Sequence, residues 1–220
     1  MLKPASLLDL SKTLAKDIFN GLDYPWEALP LISSFILDLG NSLSPDEFHR
    51  HENNVWIHKT AEIAPSAFIE GPAIIDSDTV LRHSAFIRPN AIIGKSAVIG
   101  NSVEIKNSII FDCAQVPHFN YVGDSILGYK AHMGAGSITS NVKSDYSIVH
   151  VKYGEIKICT GLLKFGTILG DNVEVGCNAV LAPGSLVCRN STVYPTSFVR
   201  GVIPENSILT NHDVIKEKTN

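Results

Sequence analysis

Arg88 and Lys106 stand 106 − 88 = 18 residues apart, and His118 follows in the stretch QVPHFNYVGDSILGYKAHMGAGSITSN, residues 115–141. Two cations held close together repel unless an anion lies between them, so a fixed spacing raises the question of a bound phosphate. A histidine changes charge near neutral pH, which makes His118 a candidate acid–base group. Each has a simpler alternative. Glu70 lies 18 before Arg88 and Asp124 lies 18 after Lys106, as in a neutralised charge ladder. A lone histidine is more often a solvated or hydrogen-bonded side chain. Gly134-Ala135-Gly136 does not lead from a strand into a helix, so it is no dinucleotide loop. It reads as a tight turn, or as a place where a ligand reaches an exposed N–H.

The spacing of eighteen acquires meaning from the elements that carry it. Steps of six from Ile63 land on Ile69, Ile75, Leu81, Ile87, Ile93, Ile99, Ile105 and Phe111. The residue two before each is small or β-branched in nearly every step. Neither a helical period nor strand alternation sustains this count. A hexapeptide repeat of short strands and turns, wound into a parallel β-helix with the large residues inward, does. Three hexapeptides make one coil, so Arg88 and Lys106 fall on one edge, roughly 5 Å apart in backbone. The count resumes in a new phase at Leu127, Met133 and Thr139, and again at Leu169, Val175, Leu181, Val187, Val193 and Val199. One phase change, between Phe111 and Leu127, and one interruption, between Thr139 and Leu169, flank the polar stretch. Pro117 takes the place of a large inward residue. Such irregularities tend to mark the working face of a solenoid.

Residues 1–55 lack the count and predict a helical cap over the open end of the β-helix. Helices are expected from Ser6-Leu7-Leu8-Asp9 to about Asn20, from Leu31 to Leu39 with Gly40 as terminator, and from Ser44-Pro45 onward. Residues 56–212 form the β-helix with an inserted loop at about 142–165, and 213–220 a loose tail. The chain has 220 residues, 45% hydrophobic and 18% charged, with net charge −4. With a pI near 6.0 and no basic run, nucleic acid is not an expected partner. No apolar run approaches the roughly 18 residues that cross a bilayer. Asp9 and Lys12 interrupt the first apolar segment, which therefore does not read as a secretion signal. Four cysteines without a CxxC pair suit a reducing cytoplasm. His83 and His118 have the spacing of a zinc pair, but no third histidine follows shortly after His118, where position 123 is glycine, so no metal is expected.

The phrases AFIRPNA, GNSVEIKNS, VPHFNYVGDS, MGAGSIT and KFGTILGD leading into VGCNAVLAP occur in that order. Over Ala85 to Asp171 they resemble the acetyltransferase half of the bifunctional glucosamine-1-phosphate N-acetyltransferase / N-acetylglucosamine-1-phosphate uridyltransferase (UDP-N-acetylglucosamine pyrophosphorylase) family. The longer insertion is similar to the C-terminal domains of archaeal-type sugar-phosphate nucleotidyltransferases. The resemblance implies a left-handed parallel β-helix that works as a homotrimer with active sites between subunits. It implies His118 as the catalytic base, and Arg88 and Lys106 as the phosphate ligands. Tyr121, His132, Asn141 and Lys164 would hold the sugar, with His132 standing where the family has asparagine. Ala135, Asn141, Cys177 and Pro195 would line the acetyl-CoA site, with Cys177 in place of serine and Pro195 in place of alanine. The expected activity is acetyl-CoA-dependent N-acetylation of an amino-sugar phosphate or nucleotide sugar. The alternative is a non-catalytic sugar-phosphate or nucleotide-sugar binding module. The first 55 residues are too short for a nucleotidyltransferase domain, so uridylyl transfer is not expected.

Overall fold

The computed structural model describes residues 2–210 and 214–218. From Val55 onward the chain winds through three parallel sheets in rotation. The first face takes its strands from Val55–His58 through Ala73–Ile75, Ala91–Ile93, Ser108–Ile110, Ile126–Leu127, Thr167–Leu169 and Ser185–Val187 to Val202–Ile203. The second runs from Glu62–Ile63 to Ser207–Leu209, and the third from Phe68–Ile69 to Phe198–Val199. Each strand pairs with its equivalent one coil on, as Ile75 with Ile93 and Ile93 with Ile110. The inward residues stack into one apolar core in which Ile87, Ile93, Ile99, Ile105, Ile110 and Leu127 are wholly buried. Burying each such side chain is worth about 1.5–3 kcal/mol. Thr139 also points inward, where its hydroxyl accepts the Gly123 N–H at 3.0 Å and can donate to the Tyr121 carbonyl at 3.3 Å.

The corners explain the count of six. A residue with positive φ recurs at Asp78, Ser84, Asn90, Ser96 and Ser102, then at Asn107, Cys113 and Phe119, then at Asp124 and Lys130. The steps are six except from Ser102 to Asn107 and from Phe119 to Asp124, where they are five. Two corners, one coil apart between the third and first faces, have each lost a residue. The phase therefore changes twice, and Ile110, not Phe111, takes the inward seat. Phe111 turns outward and packs 6.1 Å from the ring of Phe19. Pro117 is likewise not an inward position, because Val116 pairs with Ile99 in the ladder. The Pro117 carbonyl lies so close to Gly100 that a Cβ there would come within 1.6 Å of it.

As far as Ser42, the N-terminal segment does not cap an end. It lies along the first face, whose outward column Trp56, Ile74, Ile92, Ile109, Ile126, Ile168 and Leu186 is apolar throughout. Leu7, Phe19, Trp26, Ile32 and Ile36 bury themselves against it. The long first helix is absent: Pro4–Leu7 is one helical turn and Lys16–Phe19 a 3-10 turn. Burial against a flat sheet ties those residues to tertiary contacts that a continuous helix could not make together. A 3-10 segment, Pro25–Leu31, leads into the helix Ile32–Ser42, which contains Gly40. Gly40 meets the Trp56 ring at 2.6 Å from its would-be Cβ, so it permits close packing and does not end the helix. Ser44-Pro45 starts no helix. The Ser44 hydroxyl accepts the Asp46 N–H and the chain turns into the strand Phe48–His51.

That strand pairs antiparallel with Val55–His58, and Ile215–Glu217 pairs antiparallel with Ser207–Leu209. Residues 214–218 are thus held by a strand and not loose; residues 213, 219 and 220 of the expected tail lie outside the described residues. Asp171 fastens the N-terminal segment to the solenoid. Its carboxylate accepts from the Asp9 N–H at 2.7 Å and the Tyr129 N–H at 2.9 Å, and pairs with Arg189 at 3.0 Å. Burial still pushes this carboxyl above its ordinary range. Among the described residues, no helix is long and apolar enough to cross a membrane.

Candidate active site

Two edges of the solenoid carry the residues singled out in the sequence. Along the edge between the second and third faces, the second residue after each inward position forms a column: His83, Asn101, His118, Ala135, Cys177 and Pro195. Backbone hydrogen bonds join it coil to coil. Phe119 N–H donates to Asn101, Gly136 to His118, Asn178 to Ala135 and Thr196 to Cys177, at 2.8–3.0 Å. The glycines at 134 and 176 let successive coils approach, since a Cβ on Gly134 would meet Cys177 N at 2.7 Å.

His118 and Cys177 are exposed, and Ala135 is partly exposed. The His118 imidazole has no side-chain partner among the described residues, and neither does the Ala135 N–H. Both are available to a ligand. Their backbone is fixed by Asn120, a buried residue that the sequence did not single out. Its amide donates to the carbonyls of Gly134 at 2.8 Å and Ser137 at 3.0 Å, and its carbonyl accepts the His118 N–H at 3.1 Å. Beside His118, Phe119 sits at φ 54 with 63% of its surface exposed. That backbone region is costly for a bulky residue.

The edge between the third and first faces carries Arg88, Lys106 and Asn141. Arg88 and Lys106 stack one coil apart, as their spacing implies, and both have acidic partners. Arg88 pairs with Glu104 at 2.8 Å, not with Glu70, and this bond holds the guanidinium pKa above its usual range. Lys106 pairs with Asp124 at 3.4 Å. Asp124 is the hub: it is 4% exposed and also accepts from the amides of Asn107, at 2.9 Å, and Asn141. The Asn141 amide donates as well to the Tyr121 hydroxyl at 3.1 Å. Burial raises the Tyr121 pKa, so its phenol keeps the proton and can donate to a ligand oxygen. Lys164 stands at the neck of the insertion, bridged to Val142, next to Phe165 whose N–H donates to Asn141.

The structure brings together Lys106, Tyr121 and Asn141, with Arg88 one coil before and Lys164 beside them. It places His118, Ala135, Cys177 and Pro195 on the other edge, across the width of the third face. His132 is separate again, on the second face, with Nδ1 2.8 Å from Glu174. Within one chain these three groups do not converge.

The family profile described as GMPPB C-terminal domain matches residues 69–209. The chain is 34% identical over 111 residues to a bifunctional protein GlmU of Methanococcus aeolicus, covering 50% of this chain and 27% of that protein. It is 32% identical over 91 residues to a bifunctional sugar-1-phosphate nucleotidylyltransferase/acetyltransferase of Sulfurisphaera tokodaii, covering 41% of this chain and 23% of that protein. The chain thus spans about a quarter of the length of these relatives. Among solved structures it is similar to a hexapeptide transferase family protein from Anaplasma phagocytophilum, at 15% identity and TM-score 0.44, covering 76% of this chain and 80% of that one.

Proposed function

The chain belongs to the GMPPB C-terminal domain family, and from that premise we propose that it is an acetyl-CoA-dependent N-acetyltransferase of an amino-sugar phosphate such as glucosamine 1-phosphate. The observation that carries the reading is the pairing, one coil apart on one edge, of an unpartnered imidazole at His118 and an unpartnered N–H at Ala135. The free amine of the sugar attacks the thioester carbonyl. His118 takes the proton that the amine loses as the C–N bond forms. The oxygen of the tetrahedral intermediate gains a negative charge, which the Ala135 N–H stabilises. The C–S bond then breaks, and the coenzyme thiolate leaves with the proton held on His118.

Arg88 and Lys106 hold the phosphate. The Arg88–Glu104 pair is well exposed and worth little, so a phosphate can replace the carboxylate. Lys106 keeps donors free beyond the one aimed at Asp124. Tyr121, Asn141 and Lys164 orient the sugar, and the coenzyme lies along Ala135, Cys177 and Pro195. These groups sit on different edges of one chain, which supports a homotrimer in which the edge of one subunit meets the neighbour's, with His132 entering from the second face. Light scattering at micromolar concentration should give three times the mass of one chain; a monomer would sink the shared site. The four free cysteines suit a cytoplasmic location.

One observation favours the second reading, a non-catalytic sugar-phosphate or nucleotide-sugar binding module. Pro195 has no N–H to offer a coenzyme carbonyl, and it stands where the coenzyme would run. Thermal-shift titrations with acetyl-CoA and with glucosamine 1-phosphate, run separately, divide the two. The enzyme responds to both and consumes thioester with the sugar. The module responds to the sugar phosphate alone.

A further inference from the structure

The insertion after Asn141 folds into a hairpin, His150–Tyr153 against Ile156–Cys159, that leans over the last coils of the solenoid. Two glycines with positive φ seat it. A Cβ on Gly184 would meet the Val149 side chain at 2.7 Å, and one on Gly201 the Lys152 carbonyl at 2.9 Å. Between hairpin and solenoid lies a cavity of about 600 Å³, within the size range of small-molecule sites.

Its charge is lopsided. Lys143, Lys152, Lys157 and Arg200 line it, with Asp145 as the single carboxylate. Four cations less one anion leave +3 in a chain of net charge −4. Asp145 pairs with Lys143 at 3.5 Å. Lys152, Lys157 and Arg200 have no ion pair among the described residues. Moreover, Lys152 and Lys157 are direct cross-strand partners in the hairpin, an arrangement that destabilises a β-ladder unless something neutralises it. His150 is also in the lining, and its Nδ1 lies 3.0 Å from the Ile148 carbonyl, which can only accept, so Nδ1 donates there. The opposite wall is apolar, with Val180 and the half-exposed ring of Phe198.

We propose that this cavity binds an organic diphosphate, with Lys152, Lys157 and Arg200 on the diphosphate and Phe198 against the attached organic group. Three cations, two from the hairpin and one from the solenoid, exceed the two charges that a single phosphate monoester carries. A nucleic acid or membrane surface would want an extended basic face and not a recessed local patch on an acidic chain. A nucleoside diphosphate, as in a nucleotide sugar, supplies this chemistry; coenzyme A, placed above along Ala135, Cys177 and Pro195, serves as the comparison. The inference stands on the cavity and holds whether or not this chain transfers acetyl groups.

The test is calorimetric titration of the full chain with inorganic phosphate, pyrophosphate, UDP, GDP, coenzyme A and glucosamine 1-phosphate, without turnover. Pyrophosphate should bind the parent at least tenfold more tightly than phosphate at equal ionic strength. The K152Q/K157Q variant, and R200Q on the solenoid side, should each lose at least tenfold for pyrophosphate and for the organic diphosphate, with glucosamine 1-phosphate unchanged. Phe198→Ala should weaken the organic diphosphate alone. Loss for UDP or GDP identifies a nucleotide, whereas loss for coenzyme A with UDP and GDP unchanged overturns the nucleotide assignment. Pyrophosphate affinity within twofold across parent, K152Q/K157Q and R200Q, or no pyrophosphate binding by the parent, overturns the proposal. Melting temperature serves as the folding control, and removing the opposed lysines should not lower it.

Discussion

The two edges of the solenoid that carry the candidate residues are built in opposite ways. The edge with Lys106, Tyr121 and Asn141 is saturated: one buried carboxylate, Asp124, collects a lysine and two amides, and the phenol is held by one of those amides. The edge with His118 and Ala135 is bare at its side chains and fixed only through its backbone and the buried Asn120. A saturated edge is pre-organised for a ligand that comes and goes without rearrangement. A bare edge leaves a proton acceptor and a donor unspent for the reacting atoms. On the reading proposed above, the same solenoid separates holding from reacting by the width of one sheet.

The sharpest way to break this contrast is His118→Ala. If the bare edge reacts, thioester turnover should fall at least about a hundredfold, with melting temperature and sugar-phosphate affinity nearly unchanged. Equal turnover in parent and variant would remove His118 as the base. Asp124→Ala should act the other way, on stability. Removing one partner of a buried charge network costs about 3 kcal/mol, which for a chain of this size lowers the melting temperature by roughly 6–12 °C. A shift near zero in calorimetry would mean that the hub is dispensable. Arg88→Gln is smaller and selective. Its pair with Glu104 is exposed, so the fold should barely change. Binding of glucosamine 1-phosphate should weaken about tenfold, with unphosphorylated glucosamine unaffected; equal losses for both sugars would favour a structural charge ladder.

The mildest comparison uses thiols. Burial pushes the Cys188 thiol up to about 11, leaving about one part in a thousand as thiolate at pH 8. Cys177, exposed on the bare edge, should therefore react with a thiol-specific label well before Cys188, read by peptide mass spectrometry. Labelled Cys177 should also weaken acetyl-CoA binding if the coenzyme follows that column. Retained affinity in the labelled protein would take the coenzyme off it.

Much of this was legible in the sequence. The six-residue count gives the solenoid, and the step of eighteen stacks Arg88 on Lys106 and offers Asp124 as the latter's partner. Counting stopped being reliable at the two five-residue corners, because losing one residue at a turn leaves the apolar pattern plausible with Phe111 in place of Ile110. The coat of the first face was also readable. Every third hexapeptide around Ile74, Ile92, Ile109 and Ile126 has a second large apolar residue beside the inward one, and an exposed column of that kind demands a cover. Helical propensity in residues 1–55 was a weaker guide, since contacts with that column decide the local conformation. Asn120 escaped notice because its role lies in hydrogen bonds to the next coil, which no spacing records. The cavity under the hairpin escaped for the same reason. It exists only where an insertion folds back on coils that come later in the chain.

The two reversed strands carry a last consequence. A stack of parallel rungs has no inherent length; each terminal rung is a template for another, from the same chain or a stranger. Phe48–His51 and Ile215–Glu217 run against the grain at opposite ends of the stack. A newcomer meets a strand of the wrong polarity there and cannot extend the parallel pattern. Each is a stop on one face only, since the third face runs from Phe68–Ile69 to Phe198–Val199 with no reversed strand at either end among the described residues.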